Sequence, residues 1–218
     1  MLNKEIVNKT IEFLYKKFDE SEYLSAKPDK KAYRIEHSFR VANIGRQIVG
    51  KEGFDETEMT VACLLHDISY CETFGEDGWI NHGRRAAAIA RPFLKELGFT
   101  EDRIADMCYG IAIHVDDLAD FDGEHTPFAL TVGDADNLDR FDAYRIHETL
   151  CAEDFLHLDL AGKTENVNKK LDLLKKWEAR TFSTKTAKQM WRERITFYIS
   201  FYQKLQSQLY NSTGINGL

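Results

Sequence analysis

Proline and cysteine are both scarce in this chain. Its 218 residues include only 3 Pro, so few positions interrupt a helix. The 4 cysteines contain no CxxC pair and are too sparse for the disulfide framework of a small secreted domain. We therefore expect reduced thiols, long helices and a cytoplasmic protein.

Long apolar runs are also absent, and none approaches the length needed to span a bilayer. The first residues, MLNKEIVNKTIEFLYKKFDE, interleave charges with apolar side chains and lack the apolar centre of a signal peptide. The formal net charge of -7 argues against a general nucleic-acid surface, which needs clustered Lys and Arg. We expect neither a membrane partner nor general nucleic-acid binding. The negative net charge does not exclude a small phosphorylated ligand, because such a ligand needs only a local cationic pocket.

Apolar residues recur three and four positions apart along most of the chain, and this spacing predicts a mostly helical protein. A length of 218 residues suits one domain, or one core with an appendage. Glycine-containing turn signals separate the helical segments. The predicted helices cover residues 3–19, 31–52, 56–69, 81–97, 101–117, 127–138, 140–156, 164–180 and 184–210.

The composition changes near residue 160. The segments after it are rich in lysine and aromatic residues but poor in histidine and aspartate. We predict a helical core over residues 1–160 and additional helices over residues 161–218 that pack on the core, with a frayed C-terminal end. The aromatic C-terminal helices fit a homodimer.

The first residues with metal-binding chemistry are His37 and the adjacent pair His66 and Asp67. His37, in YRIEHSFRVANIG, shares a helical face with Tyr33 and Val41, so its imidazole points inward. Taken alone, such a histidine is more often a core residue satisfied by one hydrogen bond. The His66–Asp67 pair follows the apolar run VACLL. An ionised carboxylate buried there needs a cation or close partners, and a metal ion would supply that charge.

The segment TVGDADNLDR contains three further acids, Asp134, Asp136 and Asp139. A calcium loop is excluded, because Asp139 stands at loop position six, where glycine is required. On a helix, Asp136 shares a stripe with Phe128 and Val132, which places its carboxylate inward. We interpret Asp134 as a helix-end acid and Asp139 as a surface group or one that supports a ligand.

Two more histidines, His82 and His114, follow in the sequence. His114 shares a helical face with Met107 and Ile111, a context that also suits a plain core histidine. Imidazole and carboxylate together suit borderline or hard divalent ions, whereas a soft thiolate site would use the cysteines, which lack the spacing for one. An ion held by few protein ligands leaves room for water and activates it as a nucleophile.

Three motifs in order, HSFRVANIG, LLHDI and DADNLDR, lie within about residues 31–145. Together they resemble the HD superfamily of metal-dependent phosphohydrolases, in particular small stand-alone bacterial members. The resemblance implies an all-α fold, a compact multi-helix HD-domain bundle with additional C-terminal helices. It also implies His37, His66, Asp67 and Asp136 as metal ligands, with Asp134 as the neighbouring alternative to Asp136.

The function that this resemblance implies is hydrolysis of a nucleotide or a related phosphate ester or anhydride. One or two divalent ions, from among Mn, Fe, Co, Ni, Zn and Mg, would be the cofactor. The catalytic candidates are Asp67, as acceptor of the water proton, and His82 and His114, as ligands of a second ion or as partners of the phosphate. The alternative is a non-catalytic metal or nucleotide sensor with the same fold.

Substrate contacts are predicted from residue chemistry. Planar guanidinium groups suit bidentate contact with phosphate, and three arginines lie near the motifs: Arg40, Arg84 and Arg85. The segment CETFGEDGWIN, which precedes His82, is predicted to form a substrate loop, in which Trp79 offers a stacking face. We interpret HVDDLADFDGEH, which begins at His114, as a solvated turn.

Overall fold

The computed structural model describes residues 2–75 and 78–215. In these residues the chain is α-helical and has no β-strand, which confirms the predicted all-α class. No helix in the described part is both long and apolar enough to cross a membrane. The ten α-helices are α1 (Lys4–Asp19), α2 (Glu22–Ser25), α3 (Pro28–Glu52), α4 (Glu56–Leu65), α5 (His82–Glu96), α6 (Glu101–Ile113), α7 (Pro127–Asp139), α8 (Ala143–Ala152), α9 (Leu160–Glu178) and α10 (Lys185–Asn211).

Side-chain caps mark several helix starts. The Asn3 side chain accepts hydrogen bonds from the first backbone N–H groups of α1, and Asp55 does the same for α4. At α7 the Thr126 hydroxyl accepts from the Ala129 N–H at 3.0 Å, and Pro127 stands at the first helical position. The polar residues before each apolar segment therefore determine where these helices begin.

Three predicted helices are too long at their C-terminal ends. The segment predicted as 140–156 ends at Ala152. The segment predicted as 56–69 ends at Leu65, and the segment predicted as 101–117 ends at Ile113. In both cases a histidine follows, and its Nδ1 donates to a carbonyl of the last turn. The side chain thereby satisfies a carbonyl that the helix leaves without a partner. Other differences are the short helix α2 and two 3-10 turns, Ile68–Cys71 and Phe155–His157, which periodicity did not predict.

The chain divides into two compact units. The first comprises Met1–Asp139 and Ser183–Ala187, and the second comprises Arg140–Phe182 and Lys188–Leu218. The change of composition predicted a division near residue 160, whereas the units change after Asp139, and a short later segment belongs to the first unit. The predicted frayed end falls partly on residues 216–218, which lie outside the described residues.

The core of the first unit surrounds α4. Every residue of this helix from Met59 to Leu65 is buried, as expected for a helix that is apolar on all sides. Helix α3 packs against α4 and α7, α5 packs against α6, and α1 packs against α4. Because α3, α4 and α7 meet, their inward residues face a common interior.

An aromatic cluster forms the interior of the second unit. The Phe141 ring lies 4.8 Å from the Trp191 ring and 5.5 Å from the Trp177 ring, measured between centroids. Tyr202 is completely buried on α10. The aromatic richness of the C-terminal segment is therefore used, in large part, for core packing in this unit.

Gly110 permits close packing of α6 against α7. A Cβ atom at residue 110 would lie 2.7 Å from the Ala129 carbonyl oxygen and 3.0 Å from its Cα, so backbone would have to move. We expect Gly110→Ala to lower the free energy of unfolding by about 1–3 kcal/mol, as overpacking does. Urea denaturation followed by helical circular dichroism measures this change.

Gly50 on α3 provides the matched control. It is exposed, and a Cβ there would meet nothing within 4 Å. Gly50→Ala should raise the free energy of unfolding by about 0.5–1 kcal/mol through helix propensity. Equal responses of the two variants would contradict the close approach of α6 and α7.

Candidate metal centre

Three elements of the first unit bring four of the predicted ligands together. His37 lies in α3, His66 and Asp67 follow α4, and Asp136 lies in α7. The His37 Nε2 atom is 3.2 Å from His66 Nε2 and 3.1 Å from Asp136 Oδ1. It is also 3.6 Å from Asp67 Oδ2, and all four residues are buried. We call these residues the first set.

A second set shares Asp67 with the first. The other oxygen of Asp67, Oδ1, lies 3.2 Å from His82 Nε2 and 3.6 Å from His114 Nε2. The two histidine Nε2 atoms are 3.0 Å apart. His82 begins α5 and His114 directly follows α6, so the second set is built from two helix ends. Asp67 therefore directs one oxygen to each set.

Hydrogen bonds to the other ring nitrogen determine the tautomer of all four histidines. Each Nδ1 atom faces an oxygen that can only accept, so in the neutral ring, the form that binds a metal, Nδ1 carries the hydrogen and Nε2 has a free lone pair. This pattern is typical of histidines that bind metals, whose outer nitrogen donates to a carbonyl or carboxylate. The pairs are His37 with Asp139 Oδ2 at 2.7 Å, His66 with the Cys63 carbonyl at 2.7 Å, His82 with the Trp79 carbonyl, and His114 with the Ile111 carbonyl at 2.7 Å.

When the rings are neutral, as metal binding requires, lone pairs face one another in both sets. In the first set two Nε2 atoms meet at 3.2 Å, and in the second set two meet at 3.0 Å, each beside carboxylate oxygens. Buried acceptors that face acceptors are unfavourable unless a cation lies among them. A histidine with only a structural role in the core is satisfied by one hydrogen bond and does not need its second nitrogen to face another imidazole. The donor sets thus fit divalent cations that take imidazole and carboxylate ligands.

The acid–base properties of the buried groups agree with a site that attracts positive charge. Burial lowers the pKa of His37, but hydrogen bonds to Asp136 and Asp139 outweigh it and raise the pKa to about 9. Burial lowers the pKa of His66 to about 4, so this imidazole is neutral at pH 7. Burial raises the pKa of Asp67, yet neighbouring histidines and an arginine hold it well below its usual value.

The three acids of DADNLDR have different partners. Asp136 belongs to the first set, whereas Asp134 Oδ2 accepts from the Ser183 N–H at 2.8 Å and from its hydroxyl at 2.5 Å. Asp139 supports the His37 ring through Oδ2, and its Oδ1 accepts from Arg40 Nε at 2.8 Å. Asp136 and Asp139, three residues apart on α7, therefore both contact the His37 ring, while Asp134 points to Ser183.

Arg34 is a member of this centre that sequence reasoning missed. Its Nη1 donates to Asp67 Oδ2 at 2.6 Å, and its guanidinium carbon lies 3.4 Å from the centre of the Tyr70 ring. One signal was available, because Arg34 precedes His37 by three residues and so shares its helical face. Nothing in the sequence indicated its partner, since Asp67 lies 33 residues away.

The three arginines predicted to contact substrate have different positions. Arg40 reaches the first set through Asp139. Arg84 donates to both oxygens of Asp116, at 2.9 and 3.0 Å, and to the Asn81 side chain beside the second set. The structure does not bring Arg85 into either set, because its exposed guanidinium pairs with Glu72.

The predicted substrate loop lies next to the second set. Trp79 is 59% exposed, and its carbonyl oxygen accepts from His82. Glu76 and Asp77 of this loop lie outside the described residues. The described part of the loop thus contributes one fixed carbonyl and one exposed indole.

Substitution of the two neighbouring acids tests which of them binds metal. Asp136→Ala removes an oxygen of the first set, so we expect the affinity for Mn²⁺ to fall by more than about 100-fold, beyond the usual effect of losing a supporting partner. Asp134→Ala removes the bonds to Ser183 and should leave metal affinity within about 3-fold while lowering stability by about 1–3 kcal/mol. Calorimetric titration with Mn²⁺ and urea denaturation measure the two effects. The reverse ranking of metal affinities would show that Asp134 is the ligand.

Comparisons with known proteins agree with this geometry. The family model for the HD domain matches residues 34–141. Two solved structures are similar over most of the chain. A predicted HD superfamily hydrolase from an uncultured Thermotogales bacterium is 21% identical, with a TM-score of 0.64, and the match covers 92% of this chain and 91% of that one. An HD-superfamily hydrolase from Bacillus thuringiensis is 20% identical, with a TM-score of 0.65, and the match covers 95% of this chain and 98% of that one.

No curated protein matches the sequence. The two solved structures, at these identities, establish the shared fold. The matched residues contain every residue of both sets, from His37 to Asp136, and the three motifs from which the resemblance was predicted. Residues 34–141 of the chain form an HD domain.

Proposed function

We propose that the protein is a metal-dependent phosphohydrolase that acts on a nucleotide or a related phosphate ester or anhydride. The observation that carries the proposal is Asp67, whose two oxygens each face a pair of histidine Nε2 lone pairs. A carboxylate between two ligand sets is suited to two divalent cations that share one substrate. The word hydrolase in the names of both similar structures supports the same class of reaction.

Each residue then has a role that follows from its contacts. The first cation would be held by His37, His66, Asp67 and Asp136, and the second by Asp67, His82 and His114. Divalent cations in such sets act as Lewis acids and acidify water for hydrolysis. Because both Asp67 oxygens face ligand atoms, we assign Asp67 as a shared ligand and not as the acceptor of the water proton.

Cationic side chains beside the two sets would bind the phosphate. The Arg34 side chain donates to the buried Asp67 carboxylate and is 24% exposed, so it contacts both the first set and solvent. Arg40 is in a similar position beside Asp139. Guanidinium groups orient phosphate oxygens with paired hydrogen bonds. We therefore favour Arg34 and Arg40 as substrate contacts over Arg84 and Arg85.

A nucleoside group in the substrate has a separate rationale. Trp79 precedes His82 by three residues. Its backbone carbonyl accepts a hydrogen bond from His82, and its indole is exposed. A flat aromatic surface can stack on a nucleobase with an energy of about 1–3 kcal/mol. A nucleotide substrate would thus place its phosphate at the cations and its base against Trp79.

Metal-dependent phosphate release is the direct test of this function. The purified full chain is analysed for bound metal and then assayed for phosphate release from a nucleotide panel with Mn²⁺, Co²⁺, Ni²⁺ or Mg²⁺. We expect two bound cations per chain, loss of turnover on chelation and recovery on adding metal back. His66→Ala should lower kcat/KM by at least about 100-fold, more than loss of a residue that only supports a ligand.

His157→Ala is the matched control, because this histidine is exposed and pairs with the exposed Asp154, and neither residue belongs to either set. Its kcat/KM and metal content should equal those of the unmodified chain. Metal and nucleotide binding without phosphate release would indicate a sensor. A chain that neither binds metal nor releases phosphate would contradict the hydrolase proposal.

A further inference from the structure

Arg84 connects the two chain segments that carry the second set. Its Nη1 donates to Asp116 Oδ1 at 2.9 Å and to Asp116 Oδ2 at 3.0 Å, and its Nη2 donates to the Asn81 side chain. Asn81 directly precedes His82, and Asp116 follows His114 by two residues. The guanidinium thus joins the start of α5 to the chain beyond the end of α6.

Gly83 adds a backbone contact at the same junction. A Cβ atom at residue 83 would lie 2.5 Å from the Ala112 carbonyl oxygen and 3.1 Å from His114 Nδ1. The absence of a side chain therefore permits the two helix ends to approach. Three successive residues therefore face the end of α6. His82 contacts it with its imidazole, Gly83 with its backbone and Arg84 with its guanidinium.

The second set has a particular need for such a connection. Helix ends are less firmly held than helix interiors, and both His82 and His114 stand at ends. In the first set, by contrast, His37 lies well inside α3. In their neutral, metal-binding form the two histidines direct Nε2 lone pairs at one another across 3.0 Å, which opposes the approach of their helix ends until a cation is bound. An ion pair that holds the ends together would offset that repulsion.

The donors of Arg84 are directed to protein acceptors and not to an open site. Besides Asp116 and Asn81, Nη1 lies 3.4 Å from the Leu118 carbonyl oxygen, and Nε lies 3.8 Å from Asp120 Oδ1. All three guanidinium nitrogens therefore have acceptors nearby, and only 11% of the side chain is exposed. Contact with a substrate phosphate would require these bonds to break.

We propose that Arg84 is a positioning residue that holds His82 and His114 in register and thereby determines whether the second divalent cation binds. The inference rests on the proposed two-cation centre. It assigns Arg84 to the assembly of the second set in place of substrate contact, and it leaves the first set independent of Arg84.

Titration of the metal-free full chain with Mn²⁺ tests this role. The unmodified chain should bind two ions. Arg84→Ala should lower the affinity for the second ion by about 10- to 100-fold, the usual effect of losing a partner that supports ligands. Affinity for the first ion should change by less than about 2-fold. Arg84→Lys keeps one charge but cannot bridge two acceptors in the same plane, so an intermediate loss is expected.

Lys95→Ala is the matched control, since Lys95 lies on the same helix and forms an exposed ion pair with Glu101 at 3.2 Å. It should retain both affinities. If Arg84→Ala fails to fold, as judged by helical circular dichroism, Asp116→Asn removes the partner charge and should weaken the second ion in the same direction.

Three results would overturn the inference, and they differ in what they say about the function. Two ions of unchanged affinity in the folded Arg84 or Asp116 variant would show that Arg84 does not position the second set, while the two-cation centre would stand. Fewer than two ions in the unmodified chain would remove the second site itself, and with it both the two-cation centre and the role of Arg84. If Arg84 had only a structural role, the metal-free variant would have a lower urea midpoint, and its affinities for both ions would fall equally.

Discussion

The buried carboxylate of Asp67 is the constraint on which the first unit depends. An ionised group removed from water requires compensating charge, and here one arginine and four imidazoles from separate parts of the chain surround it. The helices that supply these groups pack around the apolar α4, which leads directly to Asp67. The site residues are therefore brought together when these helices pack around α4.

Bonds on the outer side of each imidazole are as informative as the contacts inside the site. Carbonyls of the preceding turn orient His66 and His114, and Asp139 orients His37. In the neutral rings these bonds leave each Nε2 with a lone pair directed inward, an arrangement that suits a bound cation. The ends of α4 and α6 thus serve the site directly, because each ends where its histidine turns back to a helix carbonyl.

Periodicity was sufficient to predict most helices and the inward faces of His37 and Asp136, because both follow local helical geometry. It did not predict that α4 and α6 end before His66 and His114, since those ends depend on a side-chain bond that propensity does not contain. Arg34 was overlooked and Asp139 was left between two roles, because the partner of each is distant in the sequence.

The sequence by itself determined the all-α class, the apolar face of each helix and the order of the three motifs, because these depend on neighbouring residues. Only the tertiary structure decided that Asp67 is shared between two sets and that Asp134 bonds to Ser183 instead of joining either. It also decided that Arg84 joins the ends of α5 and α6. These pairings link residues tens of positions apart, and such distances close only when the helices pack.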